Sequence, residues 1–145
     1  MLKGISKTLT GDILKMLFDM GHGDRIAIVD ANYPANRLGM RVVPLPGVSA
    51  TGFLKSILPL FPLDHIETTP ALLMNMTKED SLTMDNPTIW KEFSDMIHNE
   101  YGEQVNLGKL SREDFYNASK DCYLIIQTGE ERLYGNLILV KGVVR

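Results

Sequence analysis

The chain has 145 residues, the length of one domain, and its hydrophobic (44%) and charged (23%) fractions are ordinary for a globular protein. A formal net charge of −3 argues against a nucleic-acid-binding protein that depends on a strong positive field. The single cysteine, Cys122, excludes an internal disulfide and a cysteine-based structural zinc site.

Membrane insertion and secretion are not expected. The longest apolar stretches are short, such as Ile26 to Val29, whereas crossing a bilayer takes about 20 apolar residues. Residues 1–7 contain no long apolar run behind a positive start, so they do not resemble a secretory signal. We therefore expect one domain over residues 1–145, in the cytoplasm, with no nucleic-acid or membrane partner.

The first half of the chain predicts two helices and two strands. Residues 10–20 form a helix with Ile13, Leu14, Leu17 and Phe18 on its inner face. Residues 25–30 form a buried strand that ends in a carboxylate, and residues 41–45 form a second short strand closed by Pro46. Residues 49–60 form the next helix, which two prolines end.

The second half continues the alternation. The predicted elements are a strand at 71–77, a helix from 86 to 101, a short strand at 104–107, a helix at 111–120, and strands at 122–127 and 137–140. Loops are predicted at 63–70 and 78–85. This order predicts an α/β fold, a three-layer α/β/α sandwich with a mixed, mostly parallel sheet of about six strands.

The residues flanking His22 are candidates for chemistry. His22 lies between two glycines, just before a predicted strand, so its ring can face a cleft, and histidine titrates near neutral pH. A helix C-cap in which the histidine interacts with the helix dipole is an equal alternative on position alone.

Two further clusters lie at predicted strand ends, where α/β folds build their sites. Asp30 and Asn32 follow the first strand, and Tyr134, Gly135 and Asn136 precede the last one. Carboxylate, amide and hydroxyl groups suit hydrogen bonding to a ligand, and glycine permits close approach of the backbone. Taken singly, each cluster is also a typical turn sequence.

The sequence lacks the usual motifs for binding a nucleotide or a metal ion. Neither a phosphate-binding loop nor a dinucleotide fingerprint is present, and His22, His65 and His98 show no metal-ligand spacing. We therefore expect no cofactor and no metal.

Together the clusters are more specific than any one of them. The segments are Met20-Gly21-His22-Gly23-Asp24, Asp30-Ala31-Asn32-Tyr33-Pro34-Ala35, Thr128-Gly129-Glu130, Tyr134-Gly135-Asn136-Leu137-Ile138-Leu139 and Lys141-Gly142-Val143. In order and spacing, nearly end to end, they resemble the L-fucose mutarotase and D-ribose pyranase family. The His-Gly-Asp, Asp-Ala-Asn-aromatic-Pro and Tyr-Gly-Asn forms are similar to its fucose branch.

The resemblance implies roles for particular residues. It implies a general acid at His22 and binding of a monosaccharide, L-fucose, by the following positions: Asp30, Arg112, Tyr134, Gly135 and Asn136. Arg112 enters through the Arg-x-x-Phe-Tyr match at 112–116. We further expect Asp30 and Asn136 to bind sugar without stabilising the fold, because both lie at sheet ends.

The implied reaction is the interconversion of sugar anomers. A histidine suits the proton transfers of ring opening, and polar side chains suit sugar hydroxyls. A mutarotase or pyranase for another sugar, such as ribose, and a non-catalytic sugar-binding protein remain alternatives.

The resemblance also implies self-association into a decamer of two stacked pentameric rings. The chain also carries many large apolar side chains, some in segments flanked by loops, where a monomer would struggle to cover them all. They include Met74, Met76, Met84, Trp90 and Met96.

Overall fold

Continuous apolar runs form the centre of a six-stranded sheet in the computed structural model, which describes residues 1–145. The central strands are almost fully buried: β1 Arg25–Val29, β3 Ala71–Met74, β5 Leu124–Thr128 and β6 Leu137–Val140. The remaining strands, β2 Val42–Leu45 and β4 Leu107–Leu110, are half-exposed and form the two edges. Pro44 lies in β2, and an edge is where a sheet tolerates proline.

The strand order is β2-β5-β1-β6-β3-β4. The β2–β5, β5–β1 and β3–β4 pairs are parallel, whereas β6 runs antiparallel to both β1 and β3. The prediction of a mixed, mostly parallel sheet of about six strands is therefore confirmed.

Six helices flank the sheet and complete the three-layer sandwich. They are α1 Gly11–Asp19, α2 Ala35–Leu38, α3 Ala50–Ile57, α4 Lys78–Thr83, α5 Thr88–Tyr101 and α6 Arg112–Lys120. Side chains of four residues accept a hydrogen bond from the first turn of their helices, namely Thr10, Ser49, Thr77 and Ser111. None of the six helices has the length and apolar character needed to span a membrane.

Several predictions about local structure are wrong. The loop predicted at 78–85 contains α4, because Thr77 caps a helix whose third residue is Asp80. The strand predicted at 104–107 lies at Leu107–Leu110, and the short helix α2 was not predicted. Phe18 is 87% exposed, because one residue beyond the buried Leu17 a helix has turned by about 100°.

The sequence argument that several large apolar side chains lack cover is also wrong. Met74 and Trp90 are buried within one chain, and Met76, Met84 and Met96 pack half-buried against the same core. The large apolar side chains that are exposed belong to other residues, such as Leu82 and Leu133.

One glycine that the packing requires is Gly129, at the end of β5. A Cβ atom there would lie 1.9 Å from the carbonyl oxygen of Pro46. We expect Gly129→Ala to lower the free energy of unfolding by about 1–3 kcal/mol, because the loop containing Pro46 must move. Urea unfolding measures this, with Gly47→Ala as control, since nothing lies within 4 Å of that position. Equal stability of the two variants would contradict the prediction.

Candidate functional site

Asp30 and Asn136 meet because β6 runs against β1. The residue that follows β1 and the residue that precedes β6 therefore lie side by side at the same end of the central strands. The Asn136 side chain donates to Asp30 Oδ2 and accepts from the Asp30 amide, both at 2.9 Å. The two residues, far apart in sequence, are thus joined by a reciprocal pair of hydrogen bonds.

Both members of this pair are buried, with exposed fractions of 6% for Asp30 and 3% for Asn136. Burial raises the pKa of the Asp30 carboxyl above its usual value, against hydrogen bonds from Asn32 and Asn136 that lower it. Contrary to our expectation, the pair has a structural role, because losing either side chain would leave a buried polar group unpaired.

Tyr134 connects this end of the central strands to α4. Its hydroxyl donates to the carboxylate of Asp80 and accepts from the Thr77 amide at 3.1 Å. Its backbone has a φ of +61°, the one positive φ outside glycine. Tyr134 therefore has a strained backbone at the position from which its side chain contacts α4.

These residues line a cleft of about 180 Å³ at the carboxyl end of β1. The lining side chains belong to Asp30, Asn32, Tyr33, Met74, Thr77, Asp80, Arg112, Tyr116, Leu133, Tyr134 and Asn136. Four of the six predicted site residues meet here, with Arg112 contributed by the exposed first turn of α6. Polar groups of both charge signs beside aromatic rings suit a small polyhydroxylated ligand.

Gly135 supports the cleft without lining it. A Cβ atom there would lie 2.9 Å from Glu130 Cγ and 3.2 Å from Ile89 Cδ1, so the position has no room for a side chain. The adjacent loop is also fixed, because Glu130 accepts through its carbonyl from the Ala31 amide at 2.9 Å. Hydrogen bonds from Arg132 hold the pKa of the Glu130 carboxyl below its usual range.

His22 lies elsewhere, at the opposite end of the central strands. It precedes β1, whereas the cleft follows β1, and five strand residues span roughly 16 Å. Its Nε2 atom is 2.9 Å from Oδ1 of the buried Asp64. Within one chain, the fold therefore does not bring His22 to the cleft.

The other chemically capable groups do not form a site. No cluster of three or more His, Cys, Asp or Glu side chains is placed to hold a metal ion. Burial raises the pKa of the Cys122 thiol to about 12, so this cysteine is a core residue that stays protonated at neutral pH.

Sequence reasoning missed Thr77, Asp80 and Asp64. A signal for the first two was present, because Thr-x-x-Asp is the start of a capped helix, and that helix brings Asp80 into the cleft. Asp64 had no local signal, since its partner lies 42 residues away.

Residues 3–144 match the RbsD / FucU transport protein family, and this chain belongs to that family. Its relatives include an L-fucose mutarotase from Haemophilus influenzae, 39% identical over 99% of this chain and 97% of the relative.

Solved structures show the same architecture. The fucose mutarotase of Streptococcus pneumoniae in complex with L-fucose is 41% identical, with a TM-score of 0.92 over 99% of this chain and all of that one. RbsD of Bacillus subtilis complexed with D-ribose is 24% identical with a TM-score of 0.70 over the full length of both chains, a likeness of fold alone.

The reciprocal pair can be tested through stability. We expect Asn136→Ala to lower the free energy of unfolding by about 1–3 kcal/mol, because it leaves the Asp30 amide and carboxylate without their buried partner. Asn32→Ala is the matched control, since this exposed asparagine contributes only its backbone amide to Asp30. Its change should stay within about 0.5 kcal/mol by urea unfolding. A stable Asn136→Ala protein would rule out the structural role.

Proposed function

We propose that this protein is an L-fucose mutarotase, which interconverts the α and β anomers of L-fucose by opening and closing the sugar ring. The observation that carries the proposal is the cleft, which combines Asp30, Arg112, Tyr134 and Asn136 in one place. Its support from relatives is the likeness, over the whole chain, to the Streptococcus pneumoniae enzyme in complex with L-fucose.

In this proposal the cleft binds the sugar. A carboxylate offers about four lone-pair positions, so Asp30 can accept from sugar hydroxyls beside its bonds to Asn32 and Asn136. Arg112 has no hydrogen-bond partner within the chain and supplies donors from the rim. The Tyr134 ring gives the sugar an apolar face to lie against, while its hydroxyl is engaged with Asp80 and Thr77.

The reaction needs proton transfer at two oxygens. A general acid protonates the ring oxygen while a base removes the proton of the anomeric hydroxyl, and the bond between the anomeric carbon and the ring oxygen breaks. The aldehyde rotates, and the same transfers in reverse close the ring on its other face. We assign the acid to His22, since histidine holds or releases a proton near neutral pH. The chemistry requires neither oxidant nor cofactor.

His22 can serve a cleft only if the cleft belongs to another subunit. We therefore propose that the chain assembles into a homo-oligomer, a decamer, in which His22 of one subunit completes the cleft of its neighbour. A heterologous contact repeated around a ring makes every such pairing equivalent. The proposed location of this assembly is the cytoplasm.

Exposed apolar side chains beside the cleft and beside His22 support the proposal that these two surfaces meet in the assembly. Leu82 and Leu133 are 84% and 54% exposed, and Leu133 lines the cleft itself. Ile66, Val143 and Val144 are 69%, 44% and 89% exposed in the segments that flank Asp64 and Lys141, beside His22. Apolar patches on an isolated chain mark partner surfaces.

Saturation-transfer NMR on a panel of sugars tests the activity. We expect magnetisation exchange between the anomers of L-fucose, lost by about a hundredfold or more in His22→Gln because its proton-transfer group is gone. Exchange with D-ribose alone would instead indicate a pyranase. Binding of fucose without exchange would indicate a sugar-binding protein, and full activity of His22→Gln would remove His22 from the mechanism.

Subunit complementation tests the shared site. His22→Gln keeps an intact cleft, whereas Asn32→Trp keeps His22 but places a large side chain from an exposed position into a cavity of about 180 Å³. Each variant alone should be inactive. Their co-expressed mixture should recover about a quarter of the wild-type rate, because one random pairing in four joins an intact His22 to an intact cleft.

Native mass spectrometry of the mixture shows whether both variants share one assembly. The same measurement on the wild-type protein gives the number of subunits in that assembly. No recovery of activity in verified mixed assemblies would overturn the shared site. A fully active monomer would do the same.

A further inference from the structure

Asp80 lies in the cleft with one carboxylate oxygen anchored and the other free. Its Oδ2 atom accepts from the Tyr134 hydroxyl, whereas its Oδ1 atom has no hydrogen-bond partner within the chain. This free oxygen is not sealed in the interior, since the one fully buried side-chain polar atom without a partner is Trp90 Nε1. Because Asp80 is half-buried and lines the cleft, a molecule bound there can reach Oδ1.

The other carboxylate of the cleft has no such free oxygen. Asp30 Oδ1 accepts from the Asn32 amide at 3.0 Å, and Asp30 Oδ2 accepts from the Asn136 side chain at 2.9 Å. Asp80 Oδ1 is therefore the carboxylate oxygen of the cleft that carries no hydrogen bond. Since a charged acceptor binds a donor more strongly than a neutral one, it is the strongest unoccupied acceptor that the cleft offers.

Three hydrogen bonds fix the position of this carboxylate. The Asp80 amide donates to Thr77 Oγ1 at 3.2 Å, and the Thr77 amide donates to the Tyr134 hydroxyl oxygen at 3.1 Å. The Tyr134 hydroxyl in turn donates to Asp80, which closes the ring of bonds. A side chain held in this way loses little freedom when it binds a ligand, so more of the interaction contributes to affinity.

The anchor of Asp80 belongs to the core, although α4 does not. Tyr134 is 8% exposed, and its ring meets that of Trp90 edge to face with 6.4 Å between the centroids. No residue of α4 is buried. The position of the Asp80 carboxylate is therefore set by Tyr134 at the end of the sheet.

The charges in the cleft complement the two roles of a sugar hydroxyl. Asp80 forms no salt bridge, so its negative charge is not neutralised within the chain. Arg112 lines the same cleft and supplies only donors. A hydroxyl group can donate its hydrogen to a carboxylate while its oxygen accepts from a guanidinium, which no apolar or purely acidic ligand can do.

We propose that Asp80 is a further sugar-binding residue of the cleft, in which Oδ1 accepts the hydrogen bond of one ring hydroxyl of the monosaccharide. The inference rests on the proposed function, in which the cleft binds L-fucose. It adds a contact from α4 to those from the ends of the sheet strands and from α6, and it makes recognition depend on one particular hydroxyl.

The test variant is Asp80→Asn, which keeps the anchor and removes the free acceptor. The amide oxygen of the new side chain takes the bond from the Tyr134 hydroxyl, because the NH₂ group cannot accept it. We expect the Kd of L-fucose, measured by isothermal titration calorimetry, to rise about tenfold, because a charge-assisted hydrogen bond is lost. The kcat of anomer exchange should stay within about threefold of the wild type, since the proton transfers are assigned to His22.

The signature of direct contact is dependence on one hydroxyl group. The monodeoxy analogues of L-fucose that lack the hydroxyl at C2, C3 or C4 keep the ring and the anomeric centre. One of them should bind the wild-type protein about tenfold more weakly than fucose does, and this ratio should fall by about tenfold in Asp80→Asn. A displacement of α4 without direct contact would weaken all the sugars by one factor and leave the ratios unchanged.

Glu79→Gln is the matched control. Glu79 is the exposed neighbour of Asp80 in the first turn of α4, and it does not line the cleft. Its substitution removes the same charge from the same helix end, so it reproduces any effect of the helix dipole. It should keep the wild-type Kd for fucose and the wild-type ratios for all three analogues.

Three results would overturn the inference. The first is a folded Asp80→Asn protein whose Kd for fucose lies within about twofold of the wild type. The second is weaker binding with unchanged ratios among the analogues. The third is a wild-type protein that binds all three analogues as tightly as fucose, which can be measured even if Asp80→Asn fails to fold. Each leaves the mutarotase activity standing, whereas failure of the proposed function shows separately as absence of fucose anomer exchange in the wild type.

Discussion

The direction of one strand determines where the chemistry of this chain lies. β6 runs antiparallel between β1 and β3 in an otherwise parallel sheet, so its first residue lies beside the end of β1 and its last residues lie beside the beginning of β1. The first meeting creates the Asp30–Asn136 pair and the cleft. The second places His22 and Asp64 on the two sides of Lys141 and Gly142. A β6 in the parallel sense would build neither arrangement.

In the proposed function, the cleft recognises the sugar and His22 transfers the protons of ring opening and closing. In that proposal, the cleft binds the sugar through groups that are buried and already hydrogen-bonded, such as Asp30, so the polar surface met by a sugar is fixed before the sugar arrives. The proposed proton-transfer group, His22, is an exposed ring beside the buried carboxylate of Asp64, so a neighbouring subunit can approach it. Because the length of β1 separates His22 from the cleft of the same chain, the proposed activity depends on assembly of the subunits.

Much of the fold is predictable because its signals are local. Buried strands such as Leu137–Val140 read as apolar runs, and helices such as Arg112–Lys120 begin at a capping serine. What could not be predicted depends on pairing between distant segments. The burial of Asp30 follows from Asn136, more than a hundred residues away, and the position of Asp64 follows from the end of β6. Helix α4 is predictable from the sequence, because Thr77 and Asp80 have the spacing of a capping pattern.

Helix α4 also has a consequence for motion. None of its residues is buried, so it has almost no hydrophobic anchorage, and contacts of Tyr134 with Thr77 and Asp80 tie it to the sheet. A segment held by a few polar contacts opens at a small fraction of the free energy that unfolds a core. Amide protons in α4 should therefore exchange with solvent through local opening, while those of β1 exchange only when the whole chain unfolds. In the proposed function, that opening gives a sugar a way into the cleft without disturbing the sheet.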